Sequence, residues 1–416
     1  MIDALQRRAF DYFRAHTHPR TGLVADTSRS GAPASIAVVG FALSAYPVGV
    51  ERGWIGRDEA VGHCLDALRF FTYSDQSGTA CATGWRGFYF HFLNKETGLR
   101  AWESELSSID TALLVVGMLT AAAYFQAATP AEAELRQLAN ALYDRVNWNW
   151  SEHDDDAVAL GWRPECGFLN YGWQGYSEAI VLYALGLGST THRLTPSSFE
   201  AWTVTYQWEN LYGIDFLYAG PLFMHQFSHA WIDLRGIRDA FMREKDCDYF
   251  ENSRRASHVQ RQYAIRNPHG FTGYGQDGWG LSAGDGPSVA PAMVAGRRQA
   301  FYGYAARGVP WGPDDGTRNG ACLVASLVFA PEIALPALRK LFSASGLGAR
   351  AVHASGFNAT AGGELAWISE GEFGLDQGLI VLMIENFRSG LLWRLTRSIP
   401  CLRDGLARAG FTGGWL

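Results

Sequence analysis

The feature that most constrains the fold is the spacing of apolar residues, which recur every three or four positions in segment after segment. Such spacing predicts α-helices, and no convincing run of alternating apolar and polar residues predicts a strand. The pattern marks about a dozen helices or slightly more, in residues 2–15, 35–48, 57–72, 107–127, 130–146, 176–187, 197–208, 222–229, 236–265, 290–306, 318–329, 331–342, 374–387 and 400–409.

The connections between these segments are long and rich in glycine and aromatic residues. Helices in sequential antiparallel pairs predict an all-α fold, and their number favours an (α/α)6 toroid, in which inner and outer helices alternate and the loops at one end form a cleft. A superhelical repeat array is the alternative, but the sequence has no fixed-period self-similarity. No linker-like stretch interrupts the 416 residues, so we expect a single domain, 1–416.

The balance of charges limits the class of partner. The chain has 35 Lys and Arg against 41 Asp and Glu, a net charge of −6. This balance argues against binding to nucleic acid or to an anionic membrane surface and favours a neutral substrate, while leaving the oligomeric state open. The N-terminal segment has no apolar region typical of a signal peptide, and no run of about 18 apolar residues could span a membrane. We therefore expect a soluble chain, cytoplasmic as written, or periplasmic if a leader was removed.

Aromatic residues are unusually placed. The chain has 15 Trp and 17 Tyr, many of them in glycine-rich connections, where they are poor core material. Flat rings with a polar edge suit stacking against sugar rings, which makes Tyr171, Trp173, Trp279 and Trp311 candidate substrate contacts. The alternative is that these side chains plug the ends of a helical barrel, and both roles are expected.

Carboxylates are clustered beside the same connections. Glu105 and Asp110 precede an apolar helix, where Ser107 and Asp110 also have the spacing of a capping box. Glu178 is expected in the first turn of another helix, among aromatic and amide side chains that could raise the pKa of a carboxyl group. It is therefore the leading candidate for a general acid. Two further glycine-rich loops carry Asp285, a candidate catalytic residue, and Asp314, which with Glu105 is a candidate substrate contact. A third acidic loop contains Glu370, Glu372 and Asp376.

His225 and His229 stand four residues apart, with Asp233 four further on, and would share one face of a helix. This row could be half of a metal site, but a hydrogen-bonded polar seam is the more frequent arrangement. We also include His225 and His229 among the candidate substrate-binding residues. The six cysteines form no CxxC motif, and no GxSxG or dinucleotide motif is present. Carboxylates and loop aromatics are what glycosidic cleavage needs, namely an acid, a base or nucleophile, and stacking surfaces.

Several long segments resemble a known family. They are ELSSIDTALL, FMHQFSHAWIDLRG, DYFENSRRAS, GWGLSAGDGP, FAPEIALPALRKLF and FGLDQGLIVLMIENFRSGLLWRL. Together they are similar to the bacterial glucoamylase-like domain of glycoside hydrolase family 144, the endo-β-1,2-glucanases and exo-acting sophorohydrolases. The resemblance runs from about residue 36 to the C-terminal helix.

The resemblance implies an (α/α)6 barrel, hydrolysis of β-1,2-linked glucan with inversion, and no metal cofactor. It places the acid on Glu178 and puts Glu105 and Asp110 in the same pocket, whereas the base stays open between Asp285 and Asp110. Gly284 and the segment 318–320 depart from the family pattern near the expected cleft, which leaves endo or exo action open. A transglycosylase with the same pocket and a non-catalytic glucan-binding protein are the alternatives.

Overall fold

The computed structural model describes residues 1–153, 156–294, 296–343, 348–361 and 367–416. Within these ranges the chain forms fifteen α-helices: α1 Ile2–His16, α2 Ile36–Glu51, α3 Arg57–Tyr73, α4 Ser108–Tyr124, α5 Pro130–Arg145, α6 Ile180–Gly188, α7 Pro196–Thr203, α8 Ala240–Glu244, α9 Tyr249–Arg266, α10 Gly320–Ala325, α11 Pro331–Ser343, α12 Gly348–His353, α13 Gly374–Arg388, α14 Leu391–Arg397 and α15 Pro400–Arg408. The helix-rich fold predicted from the apolar spacing is confirmed.

Short antiparallel strands, which the sequence did not predict, join the loops between helices. They are β1 Ala34–Ser35, β2 Gly84–Trp85, β3 Phe88–Tyr89, β4 Phe92–Leu93, β5 Leu106–Ser107, β6 Gly161–Arg163, β7 Gly167–Phe168, β8 Trp208–Leu211, β9 Ile214–Leu217, β10 Ala283–Gly284, β11 Ala292–Val294, β12 Arg297–Gln299, β13 Ala305–Ala306, β14 Phe357–Asn358 and β15 Trp367–Ile368. Among the described residues they form pairs and one three-stranded sheet, β5-β6-β7, and no sheet closes on itself. Their pairings join loop segments that lie between the helices in the sequence.

The helices divide into two kinds by burial. Nearly every residue of α2, α4, α6 and α13 is buried, so these helices are surrounded by protein on all sides. By contrast, α1, α3, α5 and α11 bury one face and expose the other. Helices α2 and α4 touch at Gly40 and Gly117, where an added Cβ would lie 2.1 Å from the carbonyl oxygen of Leu113 or of Gly40. Only glycine permits this close packing of two inner helices.

Several predicted helices differ in the structure. The prediction of a helix over 290–306 is wrong, because β11 and β12 pair as a hairpin around Gly296, which has a φ of 77°. Met293 in this hairpin is 68% exposed, so its apolar residues have helical spacing but no core to face. The segment 236–265 is two helices, broken before Asp248, whose side chain accepts a hydrogen bond from the Glu251 amide and caps α9.

Other differences concern helix ends. Residues 222–229 form two short 3₁₀ helices, Leu222–His225 and Ser228–Ala230, in place of one α-helix. The predicted helix over 176–187 begins at Ile180, which leaves Glu178 in the turn before it. Helices α12 and α14 were not predicted, and α14 is separated from α13 by Gly390 in a left-handed conformation. No helix among the described residues is both long and apolar enough to cross a membrane.

Candidate active site

One cavity of about 870 Å³ lies where the inner helices begin. Asp110 is in the first turn of α4, Glu178 lies two residues before α6, Asn319 caps α10 and Asp376 is in the first turn of α13. All four side chains line the cavity. Because each of these residues stands at the start of an inner helix, the fold brings together side chains that are far apart in the sequence.

Glu178 lines the cavity and is itself largely buried. Its carboxylate oxygen Oε2 is sealed from solvent and has no hydrogen-bond partner among the described residues. Burial, and to a lesser extent the negative charge of Asp110, raise the pKa of Glu178 to about 7, although a backbone hydrogen bond opposes the shift. The carboxyl group can therefore keep its proton near neutral pH, as a general acid must.

Asp376 is the second carboxyl group of this kind. Its Oδ1 accepts a hydrogen bond from Nδ2 of Asn319 at 3.2 Å, whereas Oδ2 is sealed from solvent and has no partner among the described residues. Burial raises the pKa of Asp376 to about 7, with Asn319 and Ser355 lowering it and nearby Asp26 and Asp285 raising it. A carboxyl group with a pKa near neutral and one unoccupied oxygen suits a general base. Asp376 lies in the third acidic loop of the sequence and is not among the predicted catalytic residues.

His91 links two of the predicted carboxylates. Its Nδ1 lies 3.0 Å from Oε1 of Glu105, and its Nε2 lies 3.6 Å from Oδ2 of Asp110. Burial lowers the pKa of His91, but Asp110, Glu105 and Asp26 outweigh it and raise the pKa to about 9. Burial alone would raise the pKa of Glu105. The hydrogen bond and the charge of His91, with smaller contributions, outweigh burial, so the pKa of Glu105 is lowered. At neutral pH, His91 is therefore a positively charged imidazolium that contacts Glu105 and lies close to Asp110.

Ligand atoms of His91, Glu105 and Asp110 lie within 4.8 Å of one another, so this trio could hold a metal ion. A cation would have to displace the imidazole proton and the hydrogen bond to Glu105, since only neutral imidazole is a ligand. Asp110 is also fixed by Ser107, whose Oγ donates to Oδ2 at 2.5 Å and accepts from the Asp110 amide at 3.1 Å. Asp110 therefore takes part in the predicted capping box at the start of α4 and also lines the cavity.

Asp285 lines the cavity and is paired with a residue from the start of the chain. Oδ2 of Asp285 accepts hydrogen bonds from the guanidinium of Arg29 and, at 2.9 Å, from Oγ of Ser369. The guanidinium also lies over the ring of Phe373 at 5.2 Å. Next to Asp285, Gly284 approaches Ser355 so closely that an added Cβ would lie 2.0 Å from its carbonyl oxygen, which gives the departure from the family pattern a physical reason.

Aromatic rings form part of the cavity wall. Of the predicted rings, Trp173 lines the cavity, and its Nε1 donates to Oγ of Ser108 at 3.0 Å. The structure adds two pairs that sequence analysis did not find: Trp102 with Phe92, whose ring centroids are 5.0 Å apart, and Tyr304 with Phe373, whose rings are nearly parallel. Trp102 and Tyr304 are exposed, so both pairs present rings to solvent within the cavity.

Other predicted contacts lie outside the residues that line this cavity. His225 and His229 form a buried seam, in which Nε2 of His225 is 3.1 Å from the Ala219 carbonyl oxygen and Nε2 of His229 is 3.1 Å from Oγ of Ser253. Burial lowers the pKa of His225 to about 4 and that of His229 to about 3. They are neutral and hydrogen-bonded, which is the seam expected as the alternative to a metal half-site.

The remaining predicted residues are spread over loops. Tyr171 and Trp311 are exposed, Trp279 is buried, and none of the three is among the cavity residues. Asp314 also lies outside, and its two oxygens accept hydrogen bonds from the hydroxyl groups of Tyr263 and Tyr274, each at 2.7 Å. A role of these residues in binding substrate stays a prediction.

Comparisons with known proteins agree with this architecture. The chain is 26% identical over 446 aligned positions to an exo β-1,2-glucooligosaccharide sophorohydrolase (non-reducing end) of Parabacteroides distasonis, an alignment that covers 98% of this chain and 57% of that protein. The chain thus spans little more than half the length of this relative. The fold of the present chain matches a crystal structure of a "putative glucoamylase" from Bacteroides uniformis, with a TM-score of 0.87 and 29% identity. The match covers 100% of this chain and 98% of that one.

A second solved structure is an endo-β-1,2-glucanase from Chitinophaga pinensis in complex with sophorotriose and glucose. It matches with a TM-score of 0.86 and 25% identity and covers 100% of this chain and 98% of that one. A family model described as "Putative glucoamylase" matches residues 170–400, more than half of the chain. With its motifs, its fold and this match in agreement, the chain belongs to the glucoamylase-like family.

Proposed function

We propose that this protein is a glycoside hydrolase that cleaves β-1,2-linked glucan or its oligosaccharides with inversion, using Glu178 as general acid and Asp376 as general base. One observation carries the proposal. Among the described residues, only two solvent-sealed carboxylate oxygens lack a hydrogen-bond partner, Oε2 of Glu178 and Oδ2 of Asp376, and both residues line the same cavity. Buried polar atoms are nearly always paired, so an unpaired carboxylate oxygen on each of two residues that line one cavity suggests partners supplied by substrate and water.

The proposed reaction uses the two groups in opposite protonation states. Glu178 donates its proton to the glycosidic oxygen as the bond from that oxygen to C1 breaks. Asp376 takes a proton from a water molecule whose oxygen forms the new bond to C1 on the opposite face. An inverting pair of this kind stands about 6.5–9.5 Å apart, with room for the water. Positive charge that develops on the sugar is stabilised by the negative charges around it.

The base assignment differs from the two residues favoured by the sequence. Asp110 is already engaged by Ser107 and His91, and Asp285 by Arg29 and Ser369. These contacts keep both carboxylates occupied, whereas Oδ2 of Asp376 has no hydrogen-bond partner among the described residues. We therefore assign Asp110, Glu105 and His91 to binding sugar hydroxyl groups, and Asp110 also to raising the pKa of Glu178.

The choice of linkage follows the relatives. The sophorohydrolase and the endo-β-1,2-glucanase named above both act on β-1,2-linked glucose, and the family resemblance of the motifs points to the same substrate. A neutral glucan also agrees with the net charge of −6. We extend this substrate class to the present chain as part of the proposal.

We also infer that the helices complete an (α/α)6 toroid. Contacts run from α10 to α13, from α13 to α2, from α2 to α4 and from α4 to α6. The 3₁₀ segment 222–230, which contacts α13, would supply the sixth inner element. The arrangement explains why the starts of these elements meet at one cavity.

The proposal is tested by incubating the purified chain with linear β-1,2-, β-1,3-, β-1,4- and α-1,4-glucans and sizing the products. We expect cleavage of the β-1,2 polymer, and loss of nearly all of it in Glu178→Gln with the fold retained. Glu244→Gln is a matched control, because the Glu244 side chain is 71% exposed and is not among the cavity residues. Undiminished activity of Glu178→Gln, or cleavage of the α-1,4 polymer alone, would contradict the assignment.

Two further outcomes separate the alternatives. Proton NMR of the first-formed product should show the α-anomer, because inversion at C1 of a β-glucoside gives that anomer. A β-anomer first, or products longer than the substrate, would indicate a retaining enzyme or a transglycosylase. Binding of β-1,2-glucan without any product would indicate the non-catalytic alternative.

A further inference from the structure

Trp102 stands at the cavity in an unusual backbone conformation. Trp102 has a φ of 56° and Glu103 a φ of 50°, both in the left-handed region that side chains other than glycine seldom adopt. The two residues are the centre of a tight turn, which the Ser104 amide closes by donating to the Ala101 carbonyl oxygen at 3.1 Å. Turns with two positive φ values normally contain glycine or asparagine, so a tryptophan and a glutamate here carry a conformational cost.

The surrounding residues hold this turn in place. Arg100, whose side chain is 2% exposed, donates from Nε to the Ser104 carbonyl oxygen at 2.5 Å and from a terminal nitrogen to that of Glu103 at 2.7 Å. The same guanidinium pairs with Glu165 and lies 4.6 Å from the ring centre of Phe90. A buried arginine thus fixes the two carbonyl groups that follow Trp102.

The result is an indole presented to the cavity. Trp102 lines it and is 68% exposed, the most exposed of the large aromatic side chains there. Its ring packs against Phe92 at a tilt of 57°. Phe92 in turn stacks on the imidazole of His91, with centroids 3.9 Å apart and planes 15° apart. The rings of Trp102, Phe92 and His91 thus lead from solvent to the His91–Glu105–Asp110 cluster. Oε2 of Glu178, by contrast, is sealed from solvent.

We propose that Trp102, supported by Phe92, is a stacking platform for a glucosyl unit of the glucan other than the units joined by the cleaved bond. This inference rests on the proposed function and adds a binding subsite at the solvent end of the cavity. A flat, exposed ring suits the apolar face of a sugar. A cavity of about 870 Å³ accommodates a ligand larger than one sugar ring. Trp102 then sets the preference for chain length and takes no part in the chemical step.

The experiment measures binding without turnover. In the Glu178→Gln protein, calorimetry gives the dissociation constant of linear β-1,2-gluco-oligosaccharides from the disaccharide upward. Adding Trp102→Ala is expected to weaken binding of the longer oligosaccharides about ten-fold and to leave the disaccharide unchanged. Trp102→Phe should retain most of the affinity. Tyr73→Ala is the matched control, because Tyr73 is an aromatic residue with 85% exposure that does not line the cavity.

A second measurement separates binding from folding. Trp102→Gly removes the indole and relieves the left-handed conformation, so its Tm should not fall while affinity for longer chains falls. Glu103→Gly relieves the neighbouring position and should keep both. A drop in Tm for Trp102→Gly would mean that the indole holds the turn, and would overturn the platform.

Equal loss of affinity at every chain length, or no loss at any, would overturn the platform and leave the proposed function standing. If the Glu178→Gln protein bound no β-1,2-gluco-oligosaccharide at all, both the substrate assignment and the platform would be wrong.

Discussion

The Nδ1 atom of His91 lies 3.0 Å from Oε1 of Glu105, and this contact joins an imidazolium to a partly buried carboxylate inside the cavity. The pKa of His91 is raised to about 9 against burial, and that of Glu105 is lowered. The positive charge of His91 therefore favours the ionised form of Glu105.

Replacing this cation should change stability in a defined pH range. The pKa of His91 rises from 6.5 to about 9 on folding, so its contribution is fully present below pH 6.5 and is lost as the pH rises through 9. We expect His91→Gln to be less stable than wild type at pH 6.5, with the difference shrinking by up to about 3 kcal/mol above pH 9. Denaturant unfolding over this range measures it. A difference that grew with pH would contradict the assignment of a folded-state imidazolium.

The charge of Asp110 should be visible in the pH profile. Burial is the main cause of the raised pKa of Glu178, and Asp110 adds to it. Removing the negative charge in Asp110→Asn should lower the pKa of Glu178. The alkaline limb of kcat/KM, which reports the acid in the free enzyme, should therefore move to lower pH. A limb that stays in place would mean that another group donates the proton.

Glu178 should reduce stability at neutral and alkaline pH. Its pKa is about 7 in the folded protein against 4.5, so the protein loses stability as the pH rises between these values. Glu178→Gln, which has no charge to bury, should have a larger free energy of unfolding than wild type at pH 8, by up to about 3 kcal/mol. Near pH 4.5 the two proteins should be equally stable. Glu244→Gln should show no such pH-dependent difference, and equal melting of Glu178→Gln and wild type at both pH values would argue against a desolvated Glu178.

A buried ion pair organises the loops beside Asp285. Arg307 and Asp315 are both almost completely buried, with Nε 2.8 Å from Oδ1, and Arg307 also donates to the carbonyl oxygen of Gly284. Arg307→Met would leave Asp315 buried without its partner and should cost about 3–5 kcal/mol. The exposed pair Arg69–Glu134 is the control, because Arg69→Met should cost less than about 1 kcal/mol. Similar losses in the two variants would mean that the buried pair has no special role.

Apolar spacing was sufficient to predict the inner helices, because residues such as those of α2 and α4 are buried on every side and leave a continuous signal. It failed at 290–306, where similar spacing occurs in an exposed hairpin. Spacing reports which residues are apolar and not whether a partner covers them. The break before α9 depends on Asp246, which has a φ of 44°, and on a cap at Asp248, which are local features that the apolar pattern does not contain.

For the site, the sequence singled out Glu178, Glu105, Asp110, Asp285 and Trp173, all of which line the cavity. It did not select Asp376, because the raised pKa of that residue arises from burial and from the charges of Asp26 and Asp285, and only the folded chain creates both. His91 and Trp102 lie in loops without a motif. Their importance depends on contacts with Glu105 and Phe92 that only the folded chain creates.

The most direct test of the acid and base assignment uses an aryl β-sophoroside whose leaving group departs without protonation. Loss of the acid is relieved on such a substrate, whereas loss of the base is not. We expect Glu178→Gln to be nearly inactive on β-1,2-glucan but to recover much of its turnover on the aryl glycoside. Asp376→Asn should be inactive on both. Recovery by Asp376→Asn and none by Glu178→Gln would contradict the roles assigned to these two residues.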